Sequence, residues 1–194
     1  MTNLTDYDIL QALKDADAIR TGHFALTSGR HSDTYVQCAR ILEDPALTTK
    51  LAQTAVARLP EGLGIDIVAA PAVGGLIIGF AVAQALGVKF IFSEREQGKM
   101  VLRRAFEVPA KARVLVVEDV VTTGGSVAEV IELVRASGGE VVGVVSLIDR
   151  GGAKRFDVPF WPLLRLEVES WAPESCGLCA QEVPIHSPGS RRLS

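Results

Sequence analysis

Apolar and polar residues alternate in blocks along most of the chain after residue 60. Short apolar runs, which are typical of buried strands, are separated by stretches in which apolar residues recur with helical spacing. Alternating strands and helices form a parallel sheet with helices on its faces. We therefore predict an α/β fold with a central, mostly parallel sheet flanked by helices. The predicted strands are 65–70, 88–92, 114–117 and 141–148, and the predicted helices are 76–86 and 127–137.

Two further helices are predicted before this region. Thr5 followed by Asp8 resembles a capping box, and the apolar stripe after it predicts a helix that ends near Gly22. Asp44 followed by Pro45 supplies an N-cap with proline at the first helical position, and apolar residues then recur every four positions. The first quarter of the chain therefore supplies helices that can cover the sheet.

Three stretches depart from the alternation. Segments 24–30 and 34–38 are predicted to be extended pieces around a polar turn, which makes that turn a candidate binding loop. Residues 93–111 are rich in charge and predict an arm or hairpin outside the main sheet. After Arg150, scattered prolines and short apolar runs predict a small C-terminal part that wraps the core.

Composition favours one compact domain, since 48% of the 194 residues are hydrophobic. The net charge of −3 gives no general attraction to nucleic acid or to acidic membranes, so we expect neither partner. Stretch 67–88 carries no charge and is long enough to cross a bilayer, but Pro71, Gly74 and Gly75 divide it into strand, loop and helix. The polar start of the chain lacks signal-peptide features, so we expect a cytoplasmic location.

Candidate chemistry concentrates where the strand 114–117 ends. Glu118 and Asp119 come next, followed by the sequence TTGGS at 122–126 and then a helix. Glycines let several backbone N–H groups converge, hydroxyls add donors, and the helix N-terminus adds partial positive charge, so this turn suits a phosphate group. The two carboxylates suit ribose hydroxyls or a magnesium shell. A sugar phosphate is therefore the predicted ligand, and neither a G-x-x-x-x-G-K-[ST] nor a G-x-G-x-x-G motif occurs in the chain.

The three cysteines are an odd number and too few for a secreted disulfide framework, which would need several paired ones. Cys176 and Cys179 form a C-x-x-C pair with His186 nearby, but structural zinc takes four ligands and only three local candidates exist. Bound metal, two packed thiols and a local disulfide remain alternatives. His23 and His31 are interpreted as ligand contacts or as polar surface residues.

Segment 114–126, VLVVEDVVTTGGS, resembles the phosphoribosyl-pyrophosphate (PRPP) signature of the type I phosphoribosyltransferases. Segment 24–32 resembles the F-x-L-x-S-G-x-x-S stretch of the members that use orotate, and SLIDRG at 146–151 resembles their arginine-bearing strand end. The resemblance implies the type I phosphoribosyltransferase fold as a single domain, 1–194, with a small hood and a protruding catalytic loop. The implied hood is 1–40 with 151–194, the core is 41–150, and the mobile loop is 93–111.

The same resemblance implies a pentosyltransferase that moves ribose 5-phosphate from PRPP to orotate. The products are orotidine 5′-monophosphate, an intermediate of de novo pyrimidine (UMP) biosynthesis, and pyrophosphate. It also implies Mg²⁺ as cofactor and a homodimer with shared active sites. Two alternatives stay open, a purine (adenine-type) phosphoribosyltransferase and a non-catalytic PRPP-sensing regulator on the same fold.

Roles follow by resemblance for individual residues. Glu118 and Asp119 hold the ribose hydroxyls, and Asp119 is the catalytic carboxylate and the one candidate protein ligand for Mg²⁺, which otherwise binds through PRPP. Arg150 pairs with the orotate carboxylate. The implied catalytic residues are Asp119, Glu118 and Lys99. The implied PRPP-binding residues are Arg95, Lys99, Glu118, Asp119, Val120, Val121, Thr122, Thr123, Gly124, Gly125, Ser126, Val73 and Gly74. The implied orotate-binding residues are Thr122, Arg150, Tyr35, Val36 and Thr27.

The chain departs from the family pattern at several of these positions. Thr27 stands where many members have a lysine, and Val73 and Gly74 stand where a tyrosine and a lysine are usual. The catalytic loop is short, and Val101 lies near the position of its usual histidine. The departures put individual contacts in doubt while leaving the PRPP signature complete.

Overall fold

The structure is a computed structural model that describes residues 3–26, 28–151 and 156–188. Its main sheet has six strands in the order β5-β4-β3-β6-β7-β8, and β1 and β2 form a separate antiparallel pair. The strands are β1 Ile19–Ala25, β2 His31–Val36, β3 Ile67–Pro71, β4 Lys89–Glu96, β5 Lys99–Leu102, β6 Arg113–Val121, β7 Glu140–Asp149 and β8 Phe160–Arg165. The helices are α1 Asp6–Asp15, α2 Ala39–Leu42, α3 Pro45–Ala57, α4 Gly75–Leu86, α5 Gly125–Ala136 and α6 Gly177–Ala180.

The predicted α/β architecture is confirmed, since every pairing in the main sheet is parallel except that of β4 with β5. From β3 the chain passes through α4 to β4 on one side, and it later returns to place β6 on the other side of β3. The strand order therefore reverses between β3 and β6. In open α/β sheets, ligands bind at such a reversal, in the crevice at the carboxyl ends of the strands.

Hydrophobic side chains pack on both faces of the sheet because successive residues of a strand point in opposite directions. On one face, Leu115 and Val117 of β6 belong to the core that α3 and α4 cover. On the other face, Val114 and Val116 belong to the core beneath α5. This two-sided burial explains why β6 begins as a continuous apolar run.

Local sequence signals set the starts of the N-terminal helices. Thr5 and Asp8 form the predicted capping box of α1, and Asp44 caps α3 by accepting the N–H groups of Ala46 and Leu47. The prediction that the first helix reaches Gly22 was wrong: α1 ends at Asp15. The residues after it form β1, whose backbone groups pair with β2.

Residues 93–111 were predicted to lie outside the main sheet, and that prediction was wrong for their first part. Strand β4 continues to Glu96, and β5 pairs back along it to form the antiparallel edge of the six-stranded sheet. The two turn residues, Gln97 and Gly98, have φ angles of 48° and 83°, which suit a tight hairpin turn. Lys99, directly after the turn, therefore stands at the sheet edge.

The C-terminal part of the chain packs against two different parts of the fold. It adds β8 to the main sheet beside β7, so not all of 151–194 lies on the periphery. It then runs along the β1–β2 hairpin, where Trp171 pairs with His31 and His186 with Phe24. No helix among the described residues has the length and apolar character needed to span a bilayer.

Candidate active site

The acidic pair lies in the crevice at the strand-order reversal. Strand β6 extends to Val121, so Glu118 and Asp119 lie within the strand, whereas the sequence pattern had placed them after its end. Across the crevice, Gly74 begins the turn into α4, and a Cβ atom built on Gly74 would meet Oδ1 of Asp119 at 2.6 Å. The carboxylate of Asp119 therefore fits against a backbone position that carries no side chain.

The two neighbouring carboxylates have different environments. Glu118 is only 8% exposed, and its Oε1 accepts the N–H of Asp119 at 3.1 Å. Burial, with the negative charge of Asp119 as the second cause, raises the pKa of Glu118 well above its usual range. Asp119 is half-buried, and its Oδ1 accepts the N–H of Val120 at 2.7 Å. Asp119 is thus the more accessible of the two carboxylates.

The TTGGS turn surrounds a small cavity between β6 and α5. Gly124 has a φ of 73°, in the left-handed region that favours glycine, and it leads directly into α5. No side chain caps the first turn of α5 among the described residues, so its N–H groups face the cavity. The cavity has a volume of about 60 Å³ and is lined by Glu118, Val120, Val121, Thr122, Thr123, Gly124, Gly125, Ser126 and Val127. Its size and donors suit one phosphate group.

Arg150 lies beside this cavity, at the end of β7. Its backbone N–H donates to the carbonyl of Val121 at 2.8 Å, which fixes it next to the end of β6. Nε of Arg150 is buried and has no hydrogen-bond partner in the described part of the chain. Burial lowers the pKa of Arg150, yet a guanidinium stays protonated at neutral pH. A buried donor on a cation favours an anionic ligand at this position.

Tyr35 of β2 shares the electrostatic environment of Arg150. Burial raises the pKa of the Tyr35 hydroxyl, and the positive charge of Arg150 opposes that change. The hydroxyl donates to Oε1 of Gln37 at 2.7 Å, and the ring packs against Phe24 with centroids 5.6 Å apart. The β1–β2 hairpin therefore brings an aromatic ring near the end of β7.

Several predicted ligand contacts are not brought to the crevice by their side chains. Val36 is 9% exposed and packs in the core, because it points to the opposite face of β2 from Tyr35. Val120 and Val121 also pack against the cores on either face of β6. Both residues nevertheless line the cavity, and Thr27 lies outside the described residues.

The cations of the β4–β5 hairpin form contacts elsewhere. Arg95 donates from Nη2 to Oε1 of Glu129 on α5 at 2.9 Å and from Nη1 to the carbonyl of Gly98. The hydrogen bond from Arg95, and in smaller part its positive charge, lower the pKa of Glu129. Lys99 is exposed at the start of β5. The ends of β6 and β7 therefore bring Glu118, Asp119, the TTGGS turn and Arg150 together, whereas Arg95 contacts α5 and the hairpin turn.

Two neighbours of the acidic pair were missed by sequence reasoning in this role. The sequence predicts Gly74 as a PRPP-binding residue but gives no sign of its close approach to Asp119. Cys38 is buried, and burial, followed by the charges of Asp119 and Glu118, raises the pKa of its thiol. Sequence spacing gave no signal for either, because both contacts join segments that are distant along the chain.

The phosphoribosyl transferase domain family matches residues 38–174. The chain belongs to the phosphoribosyltransferase family, and the resemblance predicted from 114–126 is confirmed. The chain is similar to several curated orotate phosphoribosyltransferases. The one from Heliobacterium modesticaldum is 49% identical over 185 residues, which cover 94% of this chain and 97% of the relative. The one from Caldanaerobacter subterraneus is 47% identical over 186 residues, with coverage of 95% and 97%.

Solved structures agree with this assignment of the fold. The orotate phosphoribosyltransferase from Aeropyrum pernix superimposes with a TM-score of 0.70 at 28% identity, covering 81% of this chain and 93% of that chain. An adenine phosphoribosyltransferase from Thermoanaerobacter pseudethanolicus gives a TM-score of 0.60 at 22% identity, covering 69% of this chain and 88% of that chain. The second likeness concerns the fold alone.

Proposed function

We propose that this chain transfers ribose 5-phosphate from PRPP to orotate, giving orotidine 5′-monophosphate and pyrophosphate in pyrimidine biosynthesis. The observation that carries the proposal is Arg150, whose buried Nε has no hydrogen-bond partner among the described residues and whose backbone N–H binds Val121, a residue that lines the phosphate-sized cavity of the TTGGS turn. The full-length similarity to orotate phosphoribosyltransferases supports the choice of acceptor.

In this proposal, the TTGGS turn binds the 5′-phosphate of PRPP through backbone N–H groups and the hydroxyls of Thr122, Thr123 and Ser126. Asp119 and Glu118 bind the ribose hydroxyls. Departure of pyrophosphate leaves positive charge on the sugar ring, as in glycoside cleavage. The carboxylate of Asp119, held by Val120 and by the close approach of Gly74, stabilises that charge without needing to reorganise.

Asp119 also fits the implied magnesium ion, because it presents hard carboxylate oxygens at the crevice. Mg²⁺ bound there together with PRPP supplies positive charge that offsets the charge of the leaving pyrophosphate. Val73 and Gly74, on the β3 side of the crevice, are proposed to face the pyrophosphate through their backbones. The turn that contains them includes a cis peptide bond between Ala72 and Val73.

The acceptor base lies between Arg150 and Tyr35 in this proposal. A guanidinium binds a carboxylate through two parallel hydrogen bonds, so Arg150 orients orotate as well as attracting it. Tyr35 packs beside the pyrimidine ring and Thr122 lies at its edge. The side chain of Val36 is in the core, so it is not proposed to contact the base. Adenine has no carboxylate and would leave Arg150 unpaired, which disfavours the purine alternative.

We also propose a homodimer. Three large apolar side chains are exposed together at the start of α4: Val73 is 80% exposed, Ile77 52% and Phe80 59%. An apolar patch of this kind on an enzyme surface favours contact with a second copy. Lys99, on the exposed edge hairpin, would then act in the partner's site as the cation for pyrophosphate, and Arg95 would join it by leaving Glu129.

The remaining predictions about the chain stay proposals. We keep the division into a hood of 1–40 and 151–194, a core of 41–150 and a mobile loop of 93–111. In this division, the mobile loop would close over the bound substrates. A cytoplasmic location fits an enzyme whose substrate and product are phosphorylated and do not cross membranes unaided. The rival role of PRPP-sensing regulator is disfavoured because a regulator that also binds nucleic acid would need a basic face, whereas the chain has a net charge of −3.

The test mixes the purified protein with PRPP, Mg²⁺ and orotate and follows the loss of orotate absorbance. Adenine, hypoxanthine and uracil are offered in parallel reactions. We expect turnover of orotate and detection of orotidine 5′-monophosphate by mass spectrometry. Turnover of a purine without turnover of orotate would show that the acceptor is wrong, and binding of PRPP without turnover of any base would favour the regulator.

A further inference from the structure

Four side chains with metal-ligating atoms converge in the hood, away from the PRPP cavity. They are His23 of β1, His31 of β2, and Cys176 and Cys179 at the two ends of the first turn of α6. All four candidate ligand atoms lie within 4.8 Å of one another. The predicted local set was wrong in one member: His186 is exposed and lies outside the cluster, and two histidines from the distant hairpin take part.

Four of the six distances within the cluster are close to the edges of a tetrahedral zinc site. Nε2 of His23 lies 3.1 Å from Nδ1 of His31 and 3.5 Å from Sγ of Cys176. Sγ of Cys179 lies 3.7 Å from Nε2 of His23 and 3.2 Å from Nδ1 of His31. Usual Zn–N and Zn–S bond lengths in a tetrahedron give N···N edges of about 3.3 Å and N···S edges of about 3.6 Å.

The tautomer of His23 is suited to metal binding. Its Nδ1 lies 2.8 Å from the carbonyl oxygen of Val183, which can only accept a hydrogen bond, so Nδ1 carries the proton. In the neutral ring, Nε2 then presents a lone pair to the other three ligands. A backbone carbonyl that accepts the second N–H of a ligating histidine is a recurrent feature of metal sites.

Two members of the cluster are buried, which is unlike a chance grouping of surface side chains. His23 is 2% exposed and Cys176 is 3% exposed, so the interior of the cluster is shielded from water. The interpretation of His23 as a polar surface residue was therefore wrong. Cys179 is exposed and His31 is half-buried, which leaves a short path for a metal ion to enter.

We propose that His23, His31, Cys176 and Cys179 bind one structural zinc ion. Two thiolates and two imidazoles are a complete ligand set for Zn²⁺, and no coordination position is left for a substrate. A disulfide between the cysteines would use only half of the cluster and would leave the two histidine nitrogens facing each other. The bound ion accounts for all four side chains at once.

The ion would fasten the C-terminal segment to the β1–β2 hairpin. The same two segments are also joined by backbone bonds between His31 and Trp171 and between Ala25 and His186. That hairpin carries Tyr35, so the zinc site would hold the aromatic wall of the base pocket in place. Because ligands come from segments more than 140 residues apart, the site also closes a long loop in the unfolded chain.

The test measures metal content on the whole protein, independently of any enzymatic activity. The chain is purified under reducing conditions, reconstituted with Zn²⁺ and freed of excess metal, and its zinc is determined by mass spectrometry. We expect about one zinc ion per chain. Replacement by Co²⁺ should give the intense visible bands of a tetrahedral site with a thiolate charge-transfer band, a readout that needs no variant.

Cys179→Ser, at an exposed position, should lose the bound zinc, whereas His186→Ala and Cys38→Ala should keep it as matched controls. Circular dichroism verifies that each variant is folded. A wild-type chain that stays without stoichiometric zinc after reconstitution would overturn the proposal, as would full zinc retention by Cys179→Ser. A disulfide found in the reduced and reconstituted protein would overturn it too.

Discussion

Replacing Gly74 with alanine tests how closely Asp119 is held. A Cβ atom on residue 74 would lie 2.6 Å from Oδ1, 3.0 Å from Cγ and 3.1 Å from Oδ2 of Asp119. Real Cβ contacts shorter than 3.0 Å are essentially absent from proteins, so the carboxylate must move by at least the difference between 3.0 and 2.6 Å, 0.4 Å. Gly74 itself has φ and ψ of −56° and −47°, which alanine adopts readily.

The movement has a cost that can be worked from the contacts. Oδ1 of Asp119 already accepts the N–H of Val120 at 2.7 Å, so displacing it weakens a hydrogen bond to a charged group, worth about 1.5–3 kcal/mol. Since about 1.4 kcal/mol corresponds to a factor of ten in rate, kcat/KM should fall about 10- to 100-fold. Because this hydrogen bond is made in the folded protein, the free energy of unfolding should fall as well, by at most about 1.5–3 kcal/mol.

The assay compares kcat/KM for orotate in a double-mutant cycle made of Gly74→Ala, Asp119→Ala and the double variant. If the alanine acts through Asp119, it should cost little in the Asp119→Ala background, where no carboxylate is displaced. Gly177→Ala is the control, because an added Cβ there meets nothing within 4 Å. Wild-type kcat/KM for Gly74→Ala, or fully additive losses in the cycle, would refute the reasoning.

Three further predictions concern the charge and surface of the site. Glu118→Gln should raise the free energy of unfolding at neutral pH, because the raised pKa of Glu118 means that its charged form is disfavoured in the folded protein. The gain in unfolding free energy should fade as the pH falls toward 4.5, the ordinary pKa of a glutamate. Chemical denaturation at several pH values measures it, with Glu132→Gln at an exposed position as the control that should show no gain. Arg150→Lys keeps the positive charge but loses the two parallel N–H groups of the guanidinium, so KM for orotate should rise about tenfold or more while KM for PRPP stays unchanged. An unchanged KM for orotate would show that Arg150 is not part of the base pocket. Arg165→Lys is the control. Phe80→Glu should convert the proposed dimer to monomer in sedimentation velocity, whereas Tyr7→Glu, on α1 and 73% exposed, should not; an unaltered dimer would place the interface elsewhere.

Local signals allowed much of the fold to be predicted from sequence. The capping box of Thr5 and Asp8, the N-cap at Asp44 and the apolar face of α5 each act within one or two turns of a helix, so they are visible in the sequence. The end of β6 was not visible in this way. Glu118 and Asp119 break the apolar run, yet they remain strand because β7 continues to pair alongside them as far as Val121.

The candidate site could also be predicted from sequence only where its residues are close together along the chain. The TTGGS turn could be recognised because all of its groups lie within five residues. The contact of Gly74 with Asp119 and the meeting of His23 with Cys176 depend on how the sheet orders its strands and how the C-terminal segment returns, which no local spacing encodes. Val36 shows how strand alternation limits such assignments, because it follows Tyr35 in sequence but its side chain packs in the core on the other face of the strand.

Orotate and uracil differ only in the carboxylate that Arg150 is proposed to bind. Measuring kcat/KM for both bases, with PRPP and Mg²⁺ saturating, therefore tests the central claim most directly. A bidentate, charge-assisted pair predicts that orotate is preferred by about 100-fold or more, and that most of this preference disappears in Arg150→Ala. Equal kcat/KM values for orotate and uracil in the wild-type protein, or a preference that Arg150→Ala retains, would contradict the account.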